Sequence, residues 1–297
     1  MKTPFILDGG MGRELNRSGA PFRQPEWSAL ALIEGPDFVR RAHDAFIAAG
    51  ADAITTNSYA VVPFHIGEER FRKDGRMLAD RAGRIAREAA DAAPRKVIVA
   101  GSLPPLFGSY RPDLFREKEA QGIAEVLIDG LTPHVDVWLA ETQGSIAEAA
   151  ALRRALGDDK RPFWVSFTLE DGKTATPPKL RSHESVEAAV RAALDWNAEA
   201  LLFNCSQPEV MAAALDTARR ALGGATLTLG VYANAFPPHE ENEEANAALS
   251  DIRADLDPPR YLRFVQDWLK RGAGIVGGCC GIGPEHIAAI RKAVAKG

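Results

Sequence analysis

The sequence predicts a single-domain α/β chain folded as a (β/α)8 TIM barrel, and three observations carry that prediction. Eight short apolar or β-branched runs alternate with longer stretches of helical period. Most of the runs are apolar at consecutive positions, as strands buried on both faces of a parallel sheet require. No Gly-x-Gly-x-x-Gly turn follows the first run, so the mark of an open dinucleotide-binding sheet is missing. A chain of 297 residues has room for such a barrel. No linker divides it, and residues 1–297 read as one domain.

Taken in order, the strand candidates are Phe5–Leu7, Ala53–Thr56, Val97–Ala100, Val135–Ala140, Phe163–Phe167, Ala200–Phe203, Leu227–Val231 and Gly274–Val276. Between them, Pro36-Asp37-Phe38-Val39 opens a helix in which Val39, Ala42, Phe46 and Ala49 share one face and Gly50 closes the end. Arg76 to Ala93, Ser182 to Trp196, Pro208 to Leu222 and Pro284 to Ala295 read the same way. Three polar stretches after strand ends, Ser58 to Gly75, Leu169 to Arg181 and Ala235 to Pro259, read as long loops. They belong on the C-terminal face, where barrel active sites are built. The last is acidic, with Glu240, Glu241, Glu243, Glu244, Asp251, Asp255 and Asp257 against Arg253, and reads as a solvated flap.

Composition narrows the function classes. A 46% hydrophobic, 26% charged chain can fill a core, which excludes a disordered or fibrous protein. The net charge of −4, without a basic block, gives no reason to expect a nucleic-acid partner. No run approaches the roughly 18 apolar residues of a membrane helix, and the N-terminus lacks a signal-peptide core. Three cysteines make no disulfide framework. The expectation is a cytoplasmic protein with no membrane partner.

The cysteines carry the chemistry. Cys205 follows the sixth strand candidate, and the adjacent pair Cys279 and Cys280 follows the eighth. Only one strand separates these two in a closed barrel, so their ends converge over its mouth. Three thiolates with one open position fit a catalytic zinc ion, which favours tetrahedral geometry. Adjacent cysteines face one ion only where the chain bends sharply, and Gly277, Gly278 and Gly281 permit that bend. A reducing compartment disfavours a vicinal disulfide. The six histidines are scattered, those at positions 65 and 239 alone falling in active-face loops. No His-x-Glu or His-Glu-x-x-His spacing supports a deaminase or metalloprotease.

These residues resemble the homocysteine S-methyltransferase family over nearly the whole chain. The match runs from Ile6-Leu7-Asp8-Gly9-Gly10-Met11-Gly12 through Thr55-Thr56-Asn57-Ser58-Tyr59, Glu141-Thr142 and Asn204-Cys205 to Gly277-Gly278-Cys279-Cys280-Gly281. The resemblance implies methyl transfer to a zinc-activated homocysteine thiol, forming methionine. It implies Cys205, Cys279 and Cys280 as zinc ligands and Asp8 and Glu141 as the holders of the homocysteine ammonium. Backbone groups near Gly9 and Thr56 would receive the carboxylate, with Asn204 and Asn234 close by. Two stretches depart from the family pattern, Gly101-Ser102-Leu103-Pro104-Pro105 and Asn234-Ala235-Phe236, and both fall where a methyl donor enters.

A sulfonium donor, S-methylmethionine or S-adenosylmethionine, fits best. Betaine-using relatives typically carry a C-terminal extension and folate-using ones carry added modules, and neither is expected here. The rings of Tyr59, Phe107, Tyr110, Phe167, Tyr232 or Phe236 are candidates to meet the sulfonium charge. The alternatives are methylation of another thiol or selenol, such as selenocysteine, at the same site, or a zinc-binding barrel without catalysis.

Overall fold

The computed structural model describes residues 3–171, 177–237 and 252–295. Eight parallel strands form its centre: β1 (Phe5–Ile6), β2 (Ala53–Thr55), β3 (Ile98–Leu103), β4 (Val137–Gln143), β5 (Phe163–Phe167), β6 (Ala200–Asn204), β7 (Thr228–Tyr232) and β8 (Ile275–Val276). Their hydrogen-bonded order is β1-β8-β7-β6-β5-β4-β3-β2. The two ends of that order meet across a seam. Asp52 N–H donates to the Ile6 carbonyl (2.7 Å), and Ile6 N–H donates to the Asp52 carboxylate (2.9 Å). The barrel is thereby closed, as the alternation of runs and helices predicts.

Helices follow the strands in order: α1 (Met11–Arg17), α2 (Ala29–Glu34), α3 (Pro36–Ala49), α4 (Pro63–Ile66), α5 (Glu68–Asp91), α6 (Glu117–Leu131), α7 (Ile146–Ala155), α8 (Val186–Asp195), α9 (Pro208–Leu222), α10 (Pro258–Lys270) and α11 (Pro284–Val294). Proline near the start opens α3, α4, α9, α10 and α11, where its missing N–H is no loss. Side chains of Ser145, Ser185 and Asp257 cap α7, α8 and α10. Gly50 ends α3 at φ +104°, a conformation that favours glycine.

One expectation is corrected. The stretch Ser58 to Gly75 is mostly helix, because α4 starts at Pro63 and α5 at Glu68. Its acidic and basic residues are the solvent side of an amphipathic helix whose buried side includes Phe71, Leu78, Ala82, Ile85 and Ala89. The helix expected from Ser182 begins at Val186, after the Ser185 cap. Residues 172–176 and 238–251, with His239 and most of the acidic flap, lie outside the described residues.

Alternation along the strands decides what faces the barrel interior. Leu7, Ala53, Ala100, Val137, Leu139, Trp164, Ala200, Leu202, Tyr232 and Ile275 form the inner core. Ile54, Val99, Trp138, Val165, Leu201, Phe203, Val231 and Val276 pack outward against the helices. Continuing the inward parity one step toward the C-terminal ends gives Thr55, Ser102, Glu141, Ser166 and Asn204. The apolar interior thus ends in a polar layer, and the site stands on it.

Candidate metal and substrate site

A cavity opens above this layer, lined by Asp8, Gly9, Trp27, Thr55, Thr56, Tyr59, Tyr110, Glu141, Thr142, Cys205, Tyr232, Phe236, Cys279 and Cys280 among others. Four of the six non-glycine residues with positive φ among the described residues line it: Trp27, Tyr110, Thr142 and Cys205. Such backbone strain gathers at functional sites because the surrounding structure must over-determine it.

The three cysteines meet at one side of the cavity. Their sulfurs lie within 4.8 Å of one another, with Cys205 Sγ 3.9 Å from Cys280 Sγ. Metal–sulfur bonds of about 2.3 Å in a tetrahedron place sulfurs roughly 3.8 Å apart, so this donor set fits one ion. Among the described residues no histidine, aspartate or glutamate joins the group. Cys205 turns out of β6 at φ +50°, its N–H bonded to the Tyr232 carbonyl (3.3 Å). Cys279 N–H reaches the Ala233 carbonyl (2.9 Å), and the Cys280 carbonyl accepts from Ala235 N–H (2.8 Å). The β7 end is therefore the backbone strut joining the β6 and β8 turns. Of the three expected hinge glycines, Gly281 has a positive φ of 83°. At Gly278 close packing is the reason, since a Cβ there would lie 2.1 Å from Ile282 Cγ2.

The same cavity is lined by two buried carboxylates. Asp8 accepts from Thr55 N–H (2.7 Å) and Thr55 Oγ1 (2.9 Å). Burial pushes its pKa up to about 7 despite those bonds. Glu141 accepts from Ser102 Oγ and from the Tyr232 hydroxyl at 3.5 Å. Burial, against the Ser102 bond and reinforced by the charge of Asp8, pushes Glu141 up to about 8. Two carboxyls this dehydrated gain from a cation placed between them.

The remaining expected residues divide. Gly9 and Thr56 line the cavity, but Thr56 N–H donates to the Ala100 carbonyl (2.9 Å) and its hydroxyl accepts from Ser102 N–H (3.0 Å). Asn204 and Asn234 are fully buried and lie outside the lining. Asn204 Oδ1 accepts from Thr142 N–H (3.0 Å) and Ser166 Oγ (2.7 Å), and its Nδ2 donates to Thr142 Oγ1 (2.8 Å). These bonds hold Thr142 at φ +58°, beside an irregularity in the β4–β5 register, and so aim Glu141. Asn234 Oδ1 accepts from Phe236 N–H (3.3 Å), while its buried Nδ2 has no hydrogen-bond partner among the described residues.

Of the aromatic candidates, Tyr59, Tyr110, Tyr232 and Phe236 reach the cavity. Phe107 packs instead against Phe115 and Arg116, and Phe167 is in the outer core. His65, expected in a loop, is a buried residue of α4 whose Nδ1 lies 2.8 Å from the Pro25 carbonyl oxygen. Sequence reasoning missed Thr55, Trp27 and the role of Ser102. Inward parity along β2 and β3 is the signal that finds Thr55 and Ser102.

A parallel barrel that presents three thiols and two buried carboxylates in one cavity defines a class, a barrel suited to a metal ion and a small cation. The chain belongs to the homocysteine S-methyltransferase family, whose model matches residues 5–294. Homocysteine S-methyltransferase YbgG of Bacillus subtilis is 28% identical over 96% of this chain and 93% of its own. Selenocysteine methyltransferase of Astragalus bisulcatus is 26% identical, covering 98% of this chain and 93% of its own. The metallated form of the homocysteine methyltransferase MmuM from Escherichia coli superposes with a TM-score of 0.79 at 25% identity, covering 98% of this chain and 96% of its own. Among the described residues, no helix is long and apolar enough to cross a membrane.

Proposed function

We propose that the protein transfers a methyl group from a sulfonium donor, S-methylmethionine or S-adenosylmethionine, to the thiol of homocysteine, forming methionine. One observation carries this reading: three mutually close sulfurs share one cavity with two buried carboxylates. Cys205, Cys279 and Cys280 would hold zinc, which thiolate donors suit. When bound, zinc keeps a coordinated thiol deprotonated at neutral pH, whereas a free thiol of pKa about 8.5 is mostly protonated.

Asp8 and Glu141 bind the ammonium group of homocysteine. The cation supplies the countercharge that burial denies them, so binding displaces protons held by the empty site. Backbone groups beside Gly9 take the carboxylate, with Thr56 shaping that wall. Asn204 serves by positioning Glu141 through Thr142, and Asn234 by holding the turn that leads to Phe236. The substrate thiol is thereby directed at the cysteine side.

The faces of Tyr59, Trp27, Tyr232 and Phe236 receive the donor's positive sulfur. In the transfer, the bond between methyl carbon and sulfonium sulfur breaks and its electrons return to that sulfur, leaving a neutral thioether. The new carbon–sulfur bond uses a lone pair of the substrate thiolate. No group on the protein needs to remove a proton from carbon, so orientation supplies much of the rate.

The likeness to a selenocysteine methyltransferase supports a second acceptor at the same site. Incubating zinc-loaded protein with homocysteine and each sulfonium donor, and reading methionine by mass spectrometry, tests the main reading. Absence of methionine from both donors overturns it. Selenocysteine methylated in preference to homocysteine in a competition assay favours the second.

A further inference from the structure

The Cys205 sulfur has a neighbour the metal reading does not use. Tyr110 Oη donates a hydrogen bond to Cys205 Sγ at 2.8 Å. In this pair the hydroxyl is the donor and the sulfur the acceptor. Tyr110 sits in the β3–α6 connection at φ +63°, a strained conformation for a bulky residue. Its neighbour Ser109 is tied to Tyr59 by a hydroxyl–hydroxyl bond of 2.7 Å, which fixes the turn from the β2 side.

From the other side, the Arg181 guanidinium lies over the Tyr110 ring, 5.0 Å from its centroid. Arg181 is itself held by Asp171, whose side chain is fully buried, through a 2.5 Å ion pair. The second oxygen of Asp171 accepts from Gln207 N–H (2.9 Å), two residues past Cys205. One carboxylate thus anchors both the turn that carries the sulfur and the cation that stacks on the ring. Loops after β3, β5 and β6 converge on a single sulfur atom.

We propose that Tyr110 is a positioning residue for the metal thiolates, fixing and polarising the Cys205 sulfur, with the Asp171–Arg181 pair as the clamp that holds its ring. Ligands around a metal are oriented and tuned by the groups that hydrogen-bond to them. A neutral donor on Cys205 draws electron density from that sulfur. It lessens repulsion among three thiolates and a fourth incoming one, and leaves the substrate sulfur the most electron-rich of the set.

This inference rests on the metal reading above, and the experiment separates the two. Tyr110→Phe keeps the ring under Arg181 and removes only the donor. Zinc affinity, measured by chelator competition, should fall about tenfold, the scale of losing such a supporting bond. In cobalt-loaded protein the sulfur-to-metal charge-transfer band should move to longer wavelength, because the freed sulfur is easier to oxidise. Asp171→Asn should shift both readouts the same way by less. Unfolding temperatures of the variants set folding defects apart from site effects. A Tyr110→Phe protein with wild-type zinc affinity and an unmoved cobalt band overturns the role of the tyrosine while leaving the metal site standing. A wild-type protein that takes up neither metal overturns the metal reading and this inference with it.

Discussion

The two halves of the site are built by opposite means. The carboxylate side stands on regular strands: Thr55, Ser102 and Glu141 continue the inward parity of β2, β3 and β4, and side-chain hydrogen bonds join them to Asp8 and Tyr232. The cysteine side stands on irregular backbone, with Cys205 and Gly281 at positive φ and Gly278 pressed against Ile282. The first half carries electrostatic tension, because charge is buried there. The second carries conformational tension, because sulfurs from two strand ends must share one point. Chemistry explains the division. Holding an ammonium requires dehydrated charge in a fixed place, whereas a metal demands only that soft donors converge.

If the cysteine half is a single convergent unit, removing one member should disable it while the barrel survives. Cys205→Ala is expected to lower zinc content below one tenth of wild type and turnover by a factor of roughly a thousand or more, the scale of losing an essential catalytic group. Metal analysis and a methionine assay would read this, and retention of both metal and activity would show that the three sulfurs do not act together. Gly278→Ala probes the backbone instead. Its Cβ would sit 2.1 Å from Ile282 Cγ2, so the turn must shift, at about 1–3 kcal/mol for overpacking. Zinc affinity should fall at least about tenfold with every sulfur still present. A Gly278→Ala protein with normal metal affinity would mean that the turn tolerates slack.

The carboxylate half should respond in the opposite sense, losing function while gaining stability. Glu141→Gln removes a buried charge, so KM for homocysteine should rise about a hundredfold, in line with about 3 kcal/mol for unpairing a buried ion. The pH dependence fixes the sign. The folded pKa of Glu141, about 8, lies above its ordinary value of 4.5. The protonated carboxyl therefore favours folding at low pH, and that contribution shrinks as pH rises from about 4.5 through 8. Glu141→Gln escapes the loss and should melt higher than wild type at pH 8.5, with little gain at pH 5. Calorimetric scans at the two pH values decide it, and equal differences would place the glutamate outside a dehydrated setting.

The same contrast explains what the sequence disclosed. Strand cores announce themselves through consecutive apolar residues, so all eight were found, and α9 was bounded correctly at Pro208 and Leu222. The cysteines were legible because three thiols brought together from two strand ends of one barrel suit a shared metal. Asp8 and Glu141 were reached through resemblance, since a lone acid at a strand end has no distinctive pattern. Asn204 and Asn234 are expected near substrate, yet both are buried outside the cavity lining and bond to the backbone of the lining residues Thr142 and Phe236. Sequence places a residue on a strand end but does not say which of two buried polar groups its amide will satisfy. The Ser58 to Gly75 stretch was obscured because polar solvent-side residues outnumber apolar ones in the first turns of α5. Tyr110 is a candidate in the sequence only as a ring for the sulfonium charge; its hydrogen bond to Cys205 gives no signal there, because that contact depends on loops whose meeting only the closed barrel determines.

The smallest effect belongs to the support of the carboxylate rather than to the carboxylate itself. Ser102 Oγ donates to Glu141, and this bond opposes the upward push of burial. Ser102→Ala deletes it while the Ser102 backbone bonds to Thr56 and Ser58 persist. A hydrogen bond to a charged group is worth about 1.5–3 kcal/mol, and Tyr232 retains part of the stabilisation. KM for homocysteine should accordingly rise about tenfold with kcat within about threefold, since the bond helps bind the ammonium and does not touch the transferring methyl group. The carboxyl should also titrate higher, moving the alkaline rise in homocysteine affinity toward greater pH. That second readout matters because a mere packing defect at residue 102 would weaken binding equally at every pH. A uniform loss would leave the carboxylate side, like the cysteine side, dependent on shape rather than on charge.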